Sequence, residues 1–275
     1  MRTVLICHED AALDREGLAQ WLASFSTFAG TVVIREPAAR RRRRVWREWR
    51  RVGLWRLLDV LAFRLFHHVF QRAGDRRWEV RELDRLRARF GESSRAREMI
   101  VASANSAESE AFIRAQRPDL VIARCKTLLN ERVFTIPRRG TFVMHPGICP
   151  DYRNAHGCFW ARALGDIENV GMTLLRIDRG IDTGPIYGHF RVDVDAAESH
   201  VITQHRAVLE HLDAIRDTLL RIEDGTARAI DTTGRASAVW GQPWLSAYVA
   251  MRLRTRTSTA SKSAVGRLKS EAAPR

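Results

Sequence analysis

One imidazole and one carboxylate carry most of the chemistry this sequence offers. His145 closes the run Gly140 to His145, which reads as a strand stopped by Pro146 and Gly147. Asp182 follows 37 residues later, in the loop Asp178-Arg179-Gly180-Ile181-Asp182-Thr183-Gly184, whose glycines permit tight turns. An imidazole held against a carboxylate suits proton management at an acyl centre. Spacing alone is a weak warrant for such a pair, so the elements around it must bring the two residues together. Cys149 and Cys158 lie nearby, but neither their spacing nor that of Cys7 and Cys125 makes a structural metal site. They read as ordinary partly buried thiols ahead of nucleophiles, and no metal is expected.

The elements read as alternating strands and helices. Thr3 to Cys7 forms a short buried strand, Ala11 to Ser24 an amphipathic helix, and Phe28 to Arg35 a β-branched second strand. The rhythm returns with a strand at Met99 to Ala102, a helix at Ser106 to Gln116 and a strand at Asp119 to Ala123. After the His145 strand come a helix from about Ala155 to Leu164 and strands at Gly171 to Ile177 and Ile186 to Val194. Glu198 to Glu223 reads as one long helix, with His200, His205 and His211 on its surface. This alternation predicts an α/β fold, a doubly wound and mostly parallel sheet with a helical insertion. Ligands bind such sheets beyond the carboxyl ends of the strands, where His145 is delivered. The expected organisation is one α/β domain from residues 1–36 and 97–235, an insertion at 37–96, an extension at 236–251 and a basic, disordered tail at 252–275.

The formal charge of +14 is unevenly spread. Residues 40–51 hold eight arginines against Glu48, and residues 252–275 hold seven Lys and Arg against Glu271. These two stretches carry nearly all of the excess, which disfavours nucleic acid as the partner of the main body. In the insertion, Leu54, Leu58, Leu61 and Leu65 mark one helical face, widened by Trp55, Phe63, Phe66 and Phe70. Arg56, Asp59 and Arg64 interrupt it, so it does not read as a membrane span. Two readings stay open for 40–70: association with a membrane surface or partner, and a core helix with a solvated basic start. The apolar run Val4 to Cys7 is too short for a secretory leader and Glu9 and Asp10 follow it, so a cytoplasmic location is expected, with membrane-peripheral placement as the variant.

The stretch from Gly140 to Gly188 resembles the formyltetrahydrofolate-dependent formyltransferase family, which includes the glycinamide ribonucleotide, methionyl-tRNA and sugar-amine N-formyltransferases. His145-Pro146-Gly147, Pro150, Tyr152-Arg153, Gly171-Met172-Thr173 and the Asp178 to Gly184 loop occur in the family's order. Weaker similarity reaches back through Pro118-Asp119-Leu120-Val121-Ile122 to the first strand and forward through the long helix. Two departures stand out. Val143 occupies the place of the family asparagine, two residues before His145 and therefore on the same strand face. The first turn, Cys7-His8-Glu9-Asp10, lacks the glycines of a phosphate cradle, which disfavours a glycinamide ribonucleotide-like substrate.

The resemblance implies a one-carbon transferase that passes a formyl group from 10-formyltetrahydrofolate to an amine of a small-molecule or sugar acceptor. By position, His145 is the oxyanion donor or acid and Asp182 the proton manager. Asn154 and His156 are candidates to replace the missing amide, against a turn former and a helix-start residue as the plainer readings. Folate contacts fall on two loops, Arg124, Cys125, Lys126, Thr127 and Leu128, and Ile177, Asp178, Gly180 and Ile181 leading to Asp182. The alternatives are a catalytically impaired, ligand- or partner-binding relative, for which Val143 speaks, and a formyltetrahydrofolate hydrolase.

Overall fold

The computed structural model describes residues 1–37, 53–91 and 97–254. The arginine run within 40–51, and the tail from 255 onward, lie outside the described residues. The first strand, β1 (Arg2–His8), has its centre buried on both sides, because Val4 to Cys7 present apolar groups to helices above and below. It pairs in parallel with β2 (Thr27–Ile34) on one side and β4 (Leu120–Arg124) on the other. Beyond them lie β3 (Arg97–Val101) and β5 (Gly140–His145), again parallel. Two antiparallel strands, β7 (Gly171–Arg176) and β8 (Ile186–Arg191), extend the sheet, giving the order β3-β2-β1-β4-β5-β7-β8. The expected doubly wound, mostly parallel α/β fold is what forms.

Alternation along the strands splits the core in two. Leu5, Cys7, Leu120, Ile122, Phe142 and Met144 face one layer of helices. Val4, Ile6, Val32, Ile34, Val121 and Ala123 face the other layer. The first layer holds α1 (Leu13–Leu18 continuing through Ala19–Ala23), and the second holds α4 (Ala107–Gln116), started by Ser106 accepting from the Ser109 N–H.

Between β2 and β3, α2 (Leu54–Phe66) continues through a wide turn at His67–Gln71 into α3 (Arg72–Phe90). α2 buries Val60 and Phe63, so Phe63 belongs to the core. It packs on Phe159 and Tyr248 with ring centroids 5.4 and 5.6 Å away. α3 closes on α1, where Leu86 fills the space that a side chain at Gly17 would need.

The single helix expected over 198–223 is two helices, α7 (His200–Leu209) and α8 (Leu212–Asp224). His211 takes a non-helical conformation between them and its ring packs on Phe190 at 5.6 Å. The apolar periodicity survives the break because Val208, Leu212, Ile215, Leu219 and Ile222 are all buried in the same core. His200 and His205 are also not surface residues. Both are only partly exposed; His200 lies among Phe63, His67, His156 and Phe159, and His205 lies against Trp78.

Candidate functional site

β5 ends at His145, and the chain then doubles back over it. His145 Nε2 lies 2.8 Å from the Tyr152 carbonyl oxygen. A carbonyl only accepts, so Nε2 carries the hydrogen and Nδ1 is the atom left for other partners. Nδ1 is 3.5 Å from Asp182 Oδ2, with the two side chains only 6% and 15% exposed. The return of the loop depends on glycines: a Cβ on Gly157 would stand 2.5 Å from Gly147 Cα, and one on Gly147 would stand 2.8 Å from His145 Nε2.

Asp182 is positioned by its own loop. Asp178 Oδ1 accepts from the Gly180 N–H at 2.9 Å and from the Thr183 hydroxyl at 2.8 Å, closing the turn. Asp182 itself sits in the left-handed region at φ 52°, and the Asn154 N–H donates to its Oδ2 at 2.7 Å. Arg153 adds a bond from its guanidinium to the Ile181 carbonyl at 3.2 Å. Gly184 packs so tightly against the Arg176 carbonyl that no side chain fits there.

Beside this pair the strand face is apolar. Val143 packs with Cys149, Leu175 and Ile186. The nearby polar groups are engaged: Thr173 Oγ1 donates to the Gly147 carbonyl at 2.7 Å and accepts from the Cys149 N–H at 2.9 Å. Asn154 uses its side-chain amide on the Trp240 carbonyl. His156 starts α6 (Gly157–Leu164) with φ 55°, and its Nδ1 lies 3.1 Å from Gln204 Nε2. Burial, then the charge of Lys126, lowers its pKa to about 4. Burial drives both neighbouring thiols upward, Cys158 to about 12, the opposite of what a thiolate nucleophile needs.

Arg179, in the second of the two loops assigned to folate by resemblance, pairs at 2.8 Å with Glu131, three residues beyond the end of the first. Arg124 forms a buried pair with Asp14 at 3.0 Å and donates to the Met144 carbonyl, so its guanidinium is spent within the fold. Cys125 Sγ contacts the Thr127 carbonyl at 3.5 Å, and the Lys126 N–H donates to His8 Nε2 at 3.1 Å. Leu128 is 64% exposed, and its carbonyl accepts from Asn105. The Ile177 N–H is bound to the Thr141 carbonyl, and Asp178 is occupied by its turn; Gly180 is exposed at the loop tip, and half-buried Ile181 gives its carbonyl to Arg153.

Sequence reasoning missed a second constellation. A cleft of about 310 Å³ opens between α2, α6 and α7, lined by Phe63, Arg64, His67, His156, His200 and Gln242 among others. His67 Nε2 is 2.7 Å from Asp75 Oδ2, and Asp75 also accepts from Ser199. His200 Nδ1 is buried without a partner, and burial followed by the charges of His156, His67 and Arg162 keeps that ring's pKa well below the ordinary value. Segment 239–242 completes the wall: β9 (Val239–Trp240) pairs with β6 (Arg153–Asn154), and Trp240 stacks between Tyr152 and Trp160. No local sequence pattern ties positions so far apart.

Comparison with known proteins gives three concordant results. A family model described as formyl transferase matches residues 87–216. Methionyl-tRNA formyltransferases from Thermotoga maritima and Burkholderia multivorans are 29% and 33% identical over 124 and 128 residues, 45% and 46% of this chain. A GDP-perosamine N-formyltransferase from Brucella melitensis is 26% identical over 125 residues, 45% of this chain and 48% of that protein. The match spans only 39% of the length of each methionyl-tRNA enzyme. Among solved structures, a phosphoribosylglycinamide formyltransferase from Anaplasma phagocytophilum aligns over 88% of this chain and 99% of its own, at 14% identity and TM-score 0.53. A sugar N-formyltransferase from a Shewanella strain aligns over 91% and 87%, also at 14% and 0.53. At that identity the two structures speak to the fold.

Proposed function

We propose, from the match of a formyl transferase family model to residues 87–216, that this chain transfers a formyl group from 10-formyltetrahydrofolate to an amine of a small-molecule or sugar acceptor. The observation that carries the reading is the 3.5 Å approach of His145 Nδ1 to Asp182 Oδ2 at the carboxyl end of β5. The folate donor supplies an activated formyl carbon. Exposed Leu128 and the loop tip at Gly180 offer the apolar surface and backbone groups that a flat pterin ring requires, while Arg124 and Asp178 are already committed to the fold. Contact through backbone is the mode these loops support.

In the reaction a bond forms between the acceptor nitrogen and the formyl carbon, and the bond from that carbon to the folate nitrogen breaks. The amine loses a proton, and the departing nitrogen takes one up. His145, with its ring orientation fixed by Tyr152 on Nε2, donates to the developing oxyanion through Nδ1 in the form that carries a proton on both ring nitrogens; Asp182 receives the amine proton. Asp182 is kept in place for this by the Asn154 N–H. The cleft beside His156 is the acceptor side in this reading, because residues 152–157 hold His145 through the Tyr152 carbonyl and Asp182 through the Asn154 N–H, and reach the cleft wall at His156.

Titration of the protein with 5-formyltetrahydrofolate by calorimetry tests the assignment. Heat of binding with a thermal shift is expected, and neither at high ligand concentration overturns it. Val143 favours one second reading, a relative that binds folate and no longer turns it over, since an apolar side chain replaces a donor at the reacting carbon. Binding without formyl transfer to any amine, and without formate release, would select that reading over both the transferase and the hydrolase.

A further inference from the structure

α2 presents two apolar faces. Its inner face is fixed: Phe63 and Phe66 pack on Tyr248, Arg56 lies 3.5 Å over the Trp244 ring, and Asp59 accepts from the Ser246 N–H at 2.9 Å. The outer face carries Leu54, Leu58, Leu61, Leu65 and Val69, which are 40–65% exposed. These positions recur at the three- and four-residue spacing of one helical stripe. Trp55 at 84% and Phe70 at 73% exposure flank its two ends. The stripe extends for roughly 25 Å at the helical rise. A contiguous exposed apolar surface of that size marks a docking face. Among the described residues, no helix is long and apolar enough to cross a membrane.

The charge around the stripe decides the occupant. Arg64, His68 and Arg72 follow along the same helix and its continuation, and all three are exposed. In sequence, Arg40 to Arg44, Arg47, Arg50 and Arg51 immediately precede it. Two copies of a chain this basic repel one another across such a face, whereas an anionic bilayer attracts it. We propose that the outer face of α2 lies in the interface of an anionic lipid surface, with the leucine stripe among the acyl chains and the described basic residues Arg64, His68 and Arg72 at the headgroups.

Sedimentation with vesicles tests this in the full chain. Phosphatidylcholine vesicles containing about one third phosphatidylserine are compared with phosphatidylcholine alone, at low and high salt. The wild type is expected to sediment with the anionic vesicles at low salt and to be partly released at high salt. Leu58→Ser/Leu65→Ser alters two exposed side chains and is expected to weaken partitioning about tenfold or more while leaving the melting temperature unchanged. Three outcomes overturn the proposal: wild type that stays in the supernatant, equal sedimentation of the variant and the wild type, and a concentration-dependent dimer that the variant dissociates without any vesicle binding. Folate binding is a separate readout, so failure here leaves the formyl-transfer reading untouched.

Discussion

His145 and Asp182 are held by two backbone groups of one loop, the Tyr152 carbonyl on His145 Nε2 and the Asn154 N–H on Asp182 Oδ2. Neither side chain orients the other by a short hydrogen bond, since their closest atoms are 3.5 Å apart. The geometry of the pair is therefore set by the 147–157 loop, and that loop is in turn clamped by β9 and the Trp240 stack. Disturbing the loop is expected to disturb both residues at once.

Removing either member of the pair is expected to abolish measurable formyl transfer without unfolding the protein. If His145 donates to the oxyanion as proposed, His145→Ala costs about two to three powers of ten in kcat by itself. Asp182→Asn keeps the side-chain shape and removes the proton acceptor. Steady-state assays with circular dichroism as a folding control measure both, and full rate in His145→Ala would refute the oxyanion role.

Val143→Asn is expected to leave kcat unchanged or to raise it. The new amide points to the face that carries His145. It also enters the patch formed by Cys149, Leu175 and Ile186, so a stability loss of roughly 1–3 kcal/mol accompanies it. The informative result is the split: a lower melting temperature with a higher or equal kcat fits a donor-poor site, and a tenfold fall in kcat argues that the valine is itself required.

Acid is expected to destabilise the fold partly through His156. Its pKa falls from 6.5 to about 4 on folding, so between those values the unfolded chain binds more protons than the native one. Stability therefore rises with pH through that window and is lost as pH drops from 6.5 toward 4. One such group contributes roughly 2–3 kcal/mol to the fall. His156→Asn suits the left-handed backbone there and removes the titration. Melting temperatures from pH 4 to 7 are expected to show a shallower slope in the variant, the carboxylates accounting for what remains; parallel slopes would exclude His156 as a source.

Much of this architecture is readable from local pattern. β5 spans the residues its apolar run marks, and α4 begins where Ser106 can cap it. Periodicity failed where two helices share one core, as at His211, because burial on the same side continues across the break. Helical spacing sets Phe63 apart from the face of Leu54, Leu58, Leu61 and Leu65, but which of two apolar faces is buried depends on what later segments bring against it. His145 and Asp182 stood out by type and loop chemistry. The cleft did not, since His67, His156, His200 and Gln242 come from four separate segments whose meeting is a product of tertiary packing.

Gly157→Ala tests whether the loop crossing positions the pair. The added Cβ would lie 2.5 Å from Gly147 Cα and 2.9 Å from both the Pro146 and Tyr152 carbonyl oxygens, all of them backbone atoms that cannot swing aside. Relief requires the 147–157 loop to lift, at a cost of about 1–3 kcal/mol. Lifting carries the Tyr152 carbonyl away from His145 Nε2 and the Asn154 N–H away from Asp182. A folded variant is therefore expected to lose kcat by at least about tenfold, with folate affinity changed less, because the 124–128 loop is anchored separately through His8 and Asn105. Thermal melts, calorimetry with 5-formyltetrahydrofolate and kcat measured together decide it. A destabilised variant that retains full kcat would show that the proposed catalytic pair does not depend on the crossing.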